Sequence, residues 1–207
     1  MSRRPQTTAF WVGRLPHWEV EGGRYFVTLH LAGAIPEQGR ERVRALAAQA
    51  QVMRDHADPE WLALQRRIFR EMEDWLDRAE WNPLLRRPDV AEMVVEALEH
   101  RAARGDWRLF EYVVMPTHVH LFAEMGRLKD ALEDFKRWTG HRAAKLLGID
   151  GQRFWQDEWF DHWSRSDAED ERVVWYIRRN PEKARLVNRY LDWPYGSWSR
   201  SRLPGGT

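Results

Sequence analysis

The segment from Trp107 to Glu124 constrains the fold of this chain most. Residues 107–115 and 118–124 are two runs of aromatic and β-branched side chains, and Pro116-Thr117 separates them. Such a pattern predicts two antiparallel strands joined by a tight turn. A third strand is predicted at Tyr25–Leu31, because a similar run lies there between glycines.

The rest of the chain is mainly helical in pattern. Apolar residues recur at intervals of three and four in five segments, at residues 40–54, from Pro59 onwards, from a capping Asp89 onwards, at 128–147 and at 167–179. This order predicts an α+β fold, a ferredoxin-like antiparallel sheet with helices on one face and a helical insertion between the first two strands. We expect a single domain over residues 1–207, with a core at about 25–199, the insertion at about 40–105 and a tail at about 188–207.

Composition excludes several classes of protein. The 207 residues include no cysteine, so disulfide frameworks, zinc–thiolate sites, iron–sulfur clusters and cysteine nucleophiles are ruled out. No apolar run approaches the ~20 residues that span a bilayer, and the N-terminus lacks the apolar segment of a signal peptide. We therefore expect a cytoplasmic protein. The net charge of +1 gives no argument for binding nucleic acid through bulk charge.

His118 and His120 are the first candidate for chemistry. On a strand, residues two apart project from the same face, so both imidazoles should point the same way while Val119 enters the opposite face. Two neutral imidazoles in this arrangement can share one metal ion or hold one phosphate. An accidental pairing is the alternative, since the chain has 8 histidines. We expect neither histidine to belong to the core.

Tyr176 and Asn180 form the second candidate. They lie four residues apart in a predicted helix and should share one of its faces. A tyrosine hydroxyl can act as a nucleophile that forms covalent intermediates, and the amide oxygen of Asn180 is a suitable ligand for a hard cation. The alternatives are a core tyrosine and an ordinary asparagine at a helix end before Pro181.

These segments together resemble a known family. Val113–His120, Phe154–Asp161 and Tyr176–Val187 are similar to REP-associated tyrosine transposases, bacterial relatives of the single-tyrosine insertion-sequence transposases in the His–hydrophobic–His (HUH) nuclease superfamily. Tyr25–Thr28 matches the first strand of the family, and Asp192–Ser197 matches its closing stretch. The similarity extends from about Tyr25 to Ser199 in the order and spacing of the family.

The resemblance implies a metal-dependent endonuclease and strand transferase acting in DNA transposition and recombination. His118 and His120 would hold a Mg²⁺ or Mn²⁺ ion, and Asn180 would be the third ligand. Tyr176 would attack a phosphate of single-stranded DNA near a hairpin end, giving a 5′-phosphotyrosine intermediate and a free 3′-hydroxyl. The implied partner is single-stranded or hairpin DNA, bound by a monomer or a homodimer associated with the bacterial nucleoid.

Basic and aromatic residues around these segments are candidates for contacting the DNA. Cations able to follow a phosphate backbone occur on the tyrosine-bearing helix and on the helix before it, at Arg178, Arg179, Lys183, Arg185, Lys136 and Arg137. Trp155 and Trp159 could stack on extruded bases. The alternative is a solvated helix face for the cations and core positions for the indoles.

Two other functions compete with strand transfer. One is a non-catalytic or domesticated protein of the same fold that only binds hairpin DNA, although such a protein has no need for His118, His120 and Tyr176 together. The other is a metal-dependent hydrolase that activates a water molecule. The hydrolase is less favoured, because the sequence pattern offers no further carboxylate or histidine ligand at helical spacing.

Overall fold

The computed structural model describes residues 6–12, 15–53 and 58–200, so residues 1–5 and the last part of the predicted tail, 201–207, lie outside it. Within these described residues, six strands form two antiparallel sheets, a hairpin of β1–β2 and a four-stranded sheet in the order β4-β5-β3-β6. The strands are β1 (Thr7–Val12), β2 (Pro16–Val20), β3 (Arg24–His30), β4 (Arg108–Val114), β5 (His118–Glu124) and β6 (Phe160–Trp163). The larger sheet has the strand order of a ferredoxin-like fold.

The helices in the described residues are α1 (Glu37–Gln51), α2 (Pro59–Leu76), α3 (Pro88–Arg104), α4 (Leu128–Leu147), α5 (Asp167–Lys183) and the short α6 (Ser197–Arg200). Of these, α1 to α4 lie between strands, and α5 and α6 follow β6. The first three lie between β3 and β4, where the helical insertion was predicted. Among the described residues, no helix combines the length and apolar character that crossing a bilayer requires.

Helix α2 follows directly from its sequence. The Asp58 carboxylate accepts a hydrogen bond of 2.7 Å from the backbone N–H of Glu60, and Pro59 occupies the first turn, where its missing N–H costs nothing. The stripe that includes Ile68, Met72 and Leu76 is buried, as the periodicity predicts.

The α+β class is confirmed, and the helices divide between both faces of the sheet. On the face opposite the histidines, Tyr112 of β4 donates a 2.6 Å hydrogen bond to Glu99 of α3, and α4 packs beside α3. On the histidine face, side chains of α2 and α5 reach His120. This second layer was not part of the predicted one-sided arrangement. This layer forms because the apolar stripes of α2 and α5 become buried against the histidine face of the sheet.

Helix α5 extends beyond its predicted end. It continues through Pro181 to Lys183, since a proline in the last turn removes only one backbone hydrogen bond. Tyr176, Asn180 and Lys183 therefore follow one another on the same face at intervals of four and three residues. The start of α3 also differs from the prediction, because Arg87 rather than Asp89 is the residue before its first turn.

The β1–β2 hairpin was not predicted, and buried polar contacts hold it to the larger sheet. The Tyr25 hydroxyl accepts from the Val20 N–H at 2.7 Å and lies 3.1 Å from the Val20 carbonyl oxygen. His17 of β2 is buried; its Nδ1 pairs with the Asp161 carboxylate and its Nε2 lies 3.2 Å from Glu158 Oε2. Burial alone would lower the pKa of His17, but the two carboxylates outweigh it and raise the pKa to about 9.

This cluster predicts a pH-dependent contribution to stability. His17 has a pKa of about 9 in the folded chain, whereas a histidine in an unfolded chain has a pKa of about 6.5. Its stabilising contribution is therefore complete below the unfolded value and is lost as the pH rises through about 9. The free energy of unfolding, measured by urea denaturation from pH 6 to pH 10, should fall more steeply for the wild type than for His17→Gln. Parallel curves for the two proteins would contradict the assignment.

Candidate active site

The two histidines of β5 meet as their spacing predicts. His118 and His120 project from the same face, and their Nε2 atoms are 3.1 Å apart. Both side chains are fully buried, which corrects the expectation that neither belongs to the core. The burial follows from the position of β5 between β3 and β4 and from α2 and α5, whose side chains reach His120 on this face.

Hydrogen bonds fix the orientation of both imidazoles. The Thr117 hydroxyl donates to the Leu76 carbonyl oxygen at 3.0 Å, so it accepts from His118 Nδ1 at 2.9 Å. The proton of neutral His118 is then on Nδ1, and the lone pair of Nε2 faces the site. Burial lowers the pKa of His118, and the neighbouring His120 lowers it further, which favours this neutral form. Thr28 Oγ1 forms a hydrogen bond of 2.9 Å with His120 Nδ1.

A carboxylate from α2 completes a cluster with the histidines. Glu73 is buried with 2% of its side chain exposed, and its Oε2 lies 3.4 Å from His120 Nε2. One ligand atom from each of Glu73, His118 and His120 lies within 4.8 Å of the others. Two imidazole nitrogens and a carboxylate oxygen are a donor set that binds divalent transition metals.

Unsatisfied oxygen atoms around the cluster fit a cation. Glu73 Oε1, Asn180 Oδ1 and Asp77 Oδ1 are buried and have no hydrogen-bond donor among the described residues. Buried oxygen atoms without donors cost free energy unless a cation or another donor compensates them. The residues present therefore fit a divalent metal ion.

Tyr176 and Asn180 of α5 reach the same carboxylate. The Tyr176 hydroxyl donates a hydrogen bond to Glu73 Oε2, and Asn180 Nδ2 lies 3.5 Å from that oxygen. Burial and the negative charge of Glu73 raise the pKa of Tyr176, so the phenol is protonated in this arrangement. The two residues share one face of the helix, as predicted, and Asn180 remains the predicted third metal ligand beside Glu73.

Lys183 lies at the edge of this cluster. Its Nζ is 2.7 Å from Asp77 Oδ2 and 3.8 Å from Glu73 Oε2, and half of the side chain is exposed. The ammonium group also lies 5.7 Å from the centre of the Tyr176 ring. A residue predicted to contact DNA is thus placed directly beside the candidate nucleophile.

The other predicted cations are distributed over the surface. Arg178 pairs at 2.7 Å with the buried Glu111 of β4. Arg179 lies 3.6 Å from Glu182, Arg137 pairs with Asp134 at 2.7 Å, and Arg185 is exposed. Lys136 is half-buried over the ring of Trp159, and burial lowers its pKa to about 8.

The structure corrects the predicted role of the two tryptophans. Trp155 and Trp159 are each 4% exposed. The Trp155 indole donates to Thr139 Oγ1 at 2.8 Å, and that of Trp159 donates to Asp161 Oδ1 at 2.9 Å. Both rings are core residues, so neither offers a face on which a base could stack.

Sequence reasoning missed Glu73. Gln65, Phe69 and Glu73 recur every four residues along α2, next to the apolar stripe. Gln65 and Glu73, two polar residues two helical turns apart beside a buried stripe, were the available signal for a functional face. The sequence did not show which strand that face would meet.

Comparison with known proteins supports the fold. Neither protein-family models nor curated proteins match the chain. Among solved structures, it is similar to a REP-associated tyrosine transposase bound to a REP hairpin, with a TM-score of 0.53 and 18% identity. The similarity covers 90% of this chain and 84% of that one. The chain has the fold of this transposase. The resemblance inferred from the sequence is confirmed at that level.

The cluster predicts a metal affinity that depends on Glu73. Glu73→Gln keeps the size of the side chain and removes its charge. Mn²⁺ affinity is measured by isothermal titration calorimetry and should fall by ~10- to 100-fold or more. A loss of ~10- to 100-fold is typical when a residue that only hydrogen-bonds to a metal ligand is removed. Asp74→Asn, on the exposed side of the same helix, is the matched control and should bind Mn²⁺ like the wild type. Equal affinity of wild type and Glu73→Gln would remove Glu73 from the site.

Proposed function

We propose that the chain is a metal-dependent single-stranded DNA endonuclease and strand transferase of the transposase type. It would cleave near hairpin ends of palindromic repeats and form a 5′-phosphotyrosine intermediate. One observation supports this most strongly. Glu73 Oε2 accepts the hydrogen bond of the Tyr176 hydroxyl and also lies 3.4 Å from His120 Nε2, so a nucleophile and a metal-ligand cluster share one atom.

The chemistry of the proposed step follows from the phenol. The Tyr176 oxygen attacks the phosphorus atom, the bond to the 3′ oxygen breaks, and that oxygen takes up a proton and leaves as a 3′-hydroxyl. One proton leaves the phenol and one is taken up by the 3′ oxygen, so none is gained or lost overall. The proton of the phenol points at Glu73 Oε2, which is the nearest acceptor when the new bond forms. Attack of a 3′-hydroxyl on the phosphotyrosine reverses the step and joins DNA without ATP.

A bound metal ion fits this step. Mg²⁺ or Mn²⁺, held by His118, His120 and Glu73 with Asn180 as a further ligand, would polarise the scissile phosphate and offset the charge that develops on it. The lone pair of His118 Nε2 is already directed at the site by Thr117. The raised pKa of Tyr176 also indicates that the phenol needs nearby positive charge to become a nucleophile.

Hairpin DNA is the proposed partner. The transposase of similar fold is bound to a REP hairpin. In this chain the exposed or half-exposed cations Arg179, Lys183 and Arg185 follow one another around the end of α5, and Lys183 Nζ lies 5.7 Å from the centre of the Tyr176 ring. Cations in this position can hold the phosphates that flank the cleaved bond.

The competing functions differ in what they require of Tyr176. A non-catalytic hairpin-binding protein would need neither the hydroxyl nor the metal. A hydrolase that activates water would need the metal but not the hydroxyl. The presence of Glu73 beside the histidines removes the ground on which the hydrolase was less favoured, because it supplies the missing carboxylate. The Tyr176 hydroxyl within the cluster favours the transferase over both.

The function predicts a covalent adduct through Tyr176. With Mg²⁺ or Mn²⁺ and a hairpin oligonucleotide labelled on the 3′ side of the nick, the wild type should give a protein–DNA band on denaturing gels. Tyr176→Phe removes one oxygen atom, so the adduct should disappear while DNA binding persists. Tyr190→Phe is the matched control and should form the adduct like the wild type.

Each alternative gives a different outcome. If Tyr176→Phe still cleaves without an adduct, the hydrolase is correct. If the wild type binds the hairpin and never cleaves it with either metal, the binding protein is correct. An adduct mapped to a different tyrosine would contradict the assignment of Tyr176.

Replacing Arg185 with glycine is expected to affect the stability of the fold and the binding of DNA in opposite directions. It has a left-handed backbone with a φ of 56°, a conformation that favours glycine. Arg185→Gly should therefore keep or raise the free energy of unfolding. If Arg185 contacts a phosphate, the slope of log K against log salt should become shallower by ~0.7. The control is Arg153→Gln, which removes an exposed cation outside α5 and should leave the slope unchanged. Arg137 is not used for this purpose, because a glycine at that position would destabilise α4.

A further inference from the structure

A cavity of about 330 Å³ lies between α2 and α5, directly beside Tyr176. Its walls include the aromatic rings of Phe26, Phe69, Phe160 and Tyr176. Phe69 lies 5.3 Å from Phe26, 4.9 Å from Phe160 and 5.5 Å from Tyr176, measured between ring centres. The Phe26 ring also stacks on His120 at 5.4 Å, so the cavity wall is continuous with the metal-ligand cluster.

One buried polar group in this wall lacks a partner. Gln65 is 5% exposed, lines the cavity, and its Nε2 has no hydrogen-bond acceptor among the described residues. It lies one helical turn before Phe69 and two turns before Glu73, on the face of α2 that meets Tyr176. A buried amide without a partner costs free energy, so an acceptor placed in the cavity would stabilise it.

Charges at the mouth of the cavity favour an anionic ligand. Arg66 of α2 and Arg172 of α5 line it and are exposed. His162 and Glu169 also line it, but they pair with each other at 2.8 Å. The rim is therefore positive around an aromatic interior.

We propose that this cavity receives one unstacked nucleobase of the DNA strand, next to the phosphate that Tyr176 attacks. The rings pack against the base, Gln65 Nε2 donates to a carbonyl oxygen or ring nitrogen on its edge, and Arg66 and Arg172 hold the adjoining phosphates. This inference rests on the proposed function, because it takes DNA as the substrate. It adds a binding site outside the metal cluster and assigns Gln65 as a positioning residue.

The chemistry of the cavity distinguishes a base from other ligands. An aliphatic chain would leave the Gln65 amide unpaired, and a free phosphate would make no use of four aromatic rings. A base joined to a phosphate backbone satisfies the rings, the amide and the cations at once. Its position also fixes the backbone beside the Tyr176 ring, which forms part of the same wall.

An abasic scan tests the inference without requiring catalysis. The protein used is Tyr176→Phe, with Mg²⁺, and the probe is a palindromic-repeat hairpin with single-stranded tails in which one nucleotide at a time lacks its base. Fluorescence anisotropy should identify one tail position where loss of the base weakens binding by about 5- to 150-fold, the contribution of one stacked base. In the double variant with Gln65→Leu, this penalty should shrink and binding of the intact DNA should weaken.

Gln65→Leu should also fold well, because it removes an unpaired buried amide, and its melting temperature should be equal to or above that of the parent. Gln49→Leu, at an exposed position of α1, is the matched control and should keep the full penalty. The inference is wrong if no tail position depends on its base, or if Gln65→Leu leaves the penalty unchanged. The adduct assay on otherwise wild-type protein reports separately on the proposed function, so the two can fail independently.

Discussion

The Glu73 carboxylate is buried between α2, β5 and α5, and a charge in that position must be compensated by its neighbours. The compensation comes from elements that are far apart in the chain. His120 lies on the central strand β5, Tyr176 and Asn180 lie on α5, and Lys183 lies 3.8 Å from the same carboxylate oxygen. Binding a cation at this point would satisfy the remaining oxygen atoms and hold α2 and α5 against the histidine face. The arrangement of the site depends on the interactions of this carboxylate with its neighbours.

The sequence predicted the parts of the site that follow from local geometry. The alternation of a strand placed His118 and His120 together, and the period of a helix placed Tyr176 and Asn180 together. Contacts between distant segments could not be predicted in this way. Glu73 needed the packing of α2 against β5, and the burial of Trp155 and Trp159 needed the positions of Thr139 and Asp161. The β1–β2 hairpin escaped prediction because its attachment depends on polar contacts of Tyr25 and His17 rather than on an apolar pattern.

The fold of this chain is shared with a known transposase, whereas the proposed chemistry depends on side chains of this chain. At 18% identity, the similarity to the REP-associated transposase establishes the shared architecture. The proposed activity depends on this chain's own residues, which bring a phenol, two imidazoles and a carboxylate together in a buried cluster. The aromatic cavity beside Tyr176 extends the same argument from cleavage to placement of the substrate. Helix α2 supplies Gln65, Phe69 and Glu73, so the helical insertion belongs to the proposed active site and is more than an elaboration of the fold.

The most direct test of this account is anomalous X-ray diffraction from crystals of the wild-type protein grown with Mn²⁺. The account predicts an anomalous peak within coordination distance of His118 Nε2, His120 Nε2 and a Glu73 carboxylate oxygen. Its position should also lie beside the Tyr176 hydroxyl. A Mn²⁺ peak at a different group of residues would contradict the central claim. The absence of a peak inside an unchanged Glu73–His118–His120 cluster, in crystals grown at saturating Mn²⁺, would also contradict it.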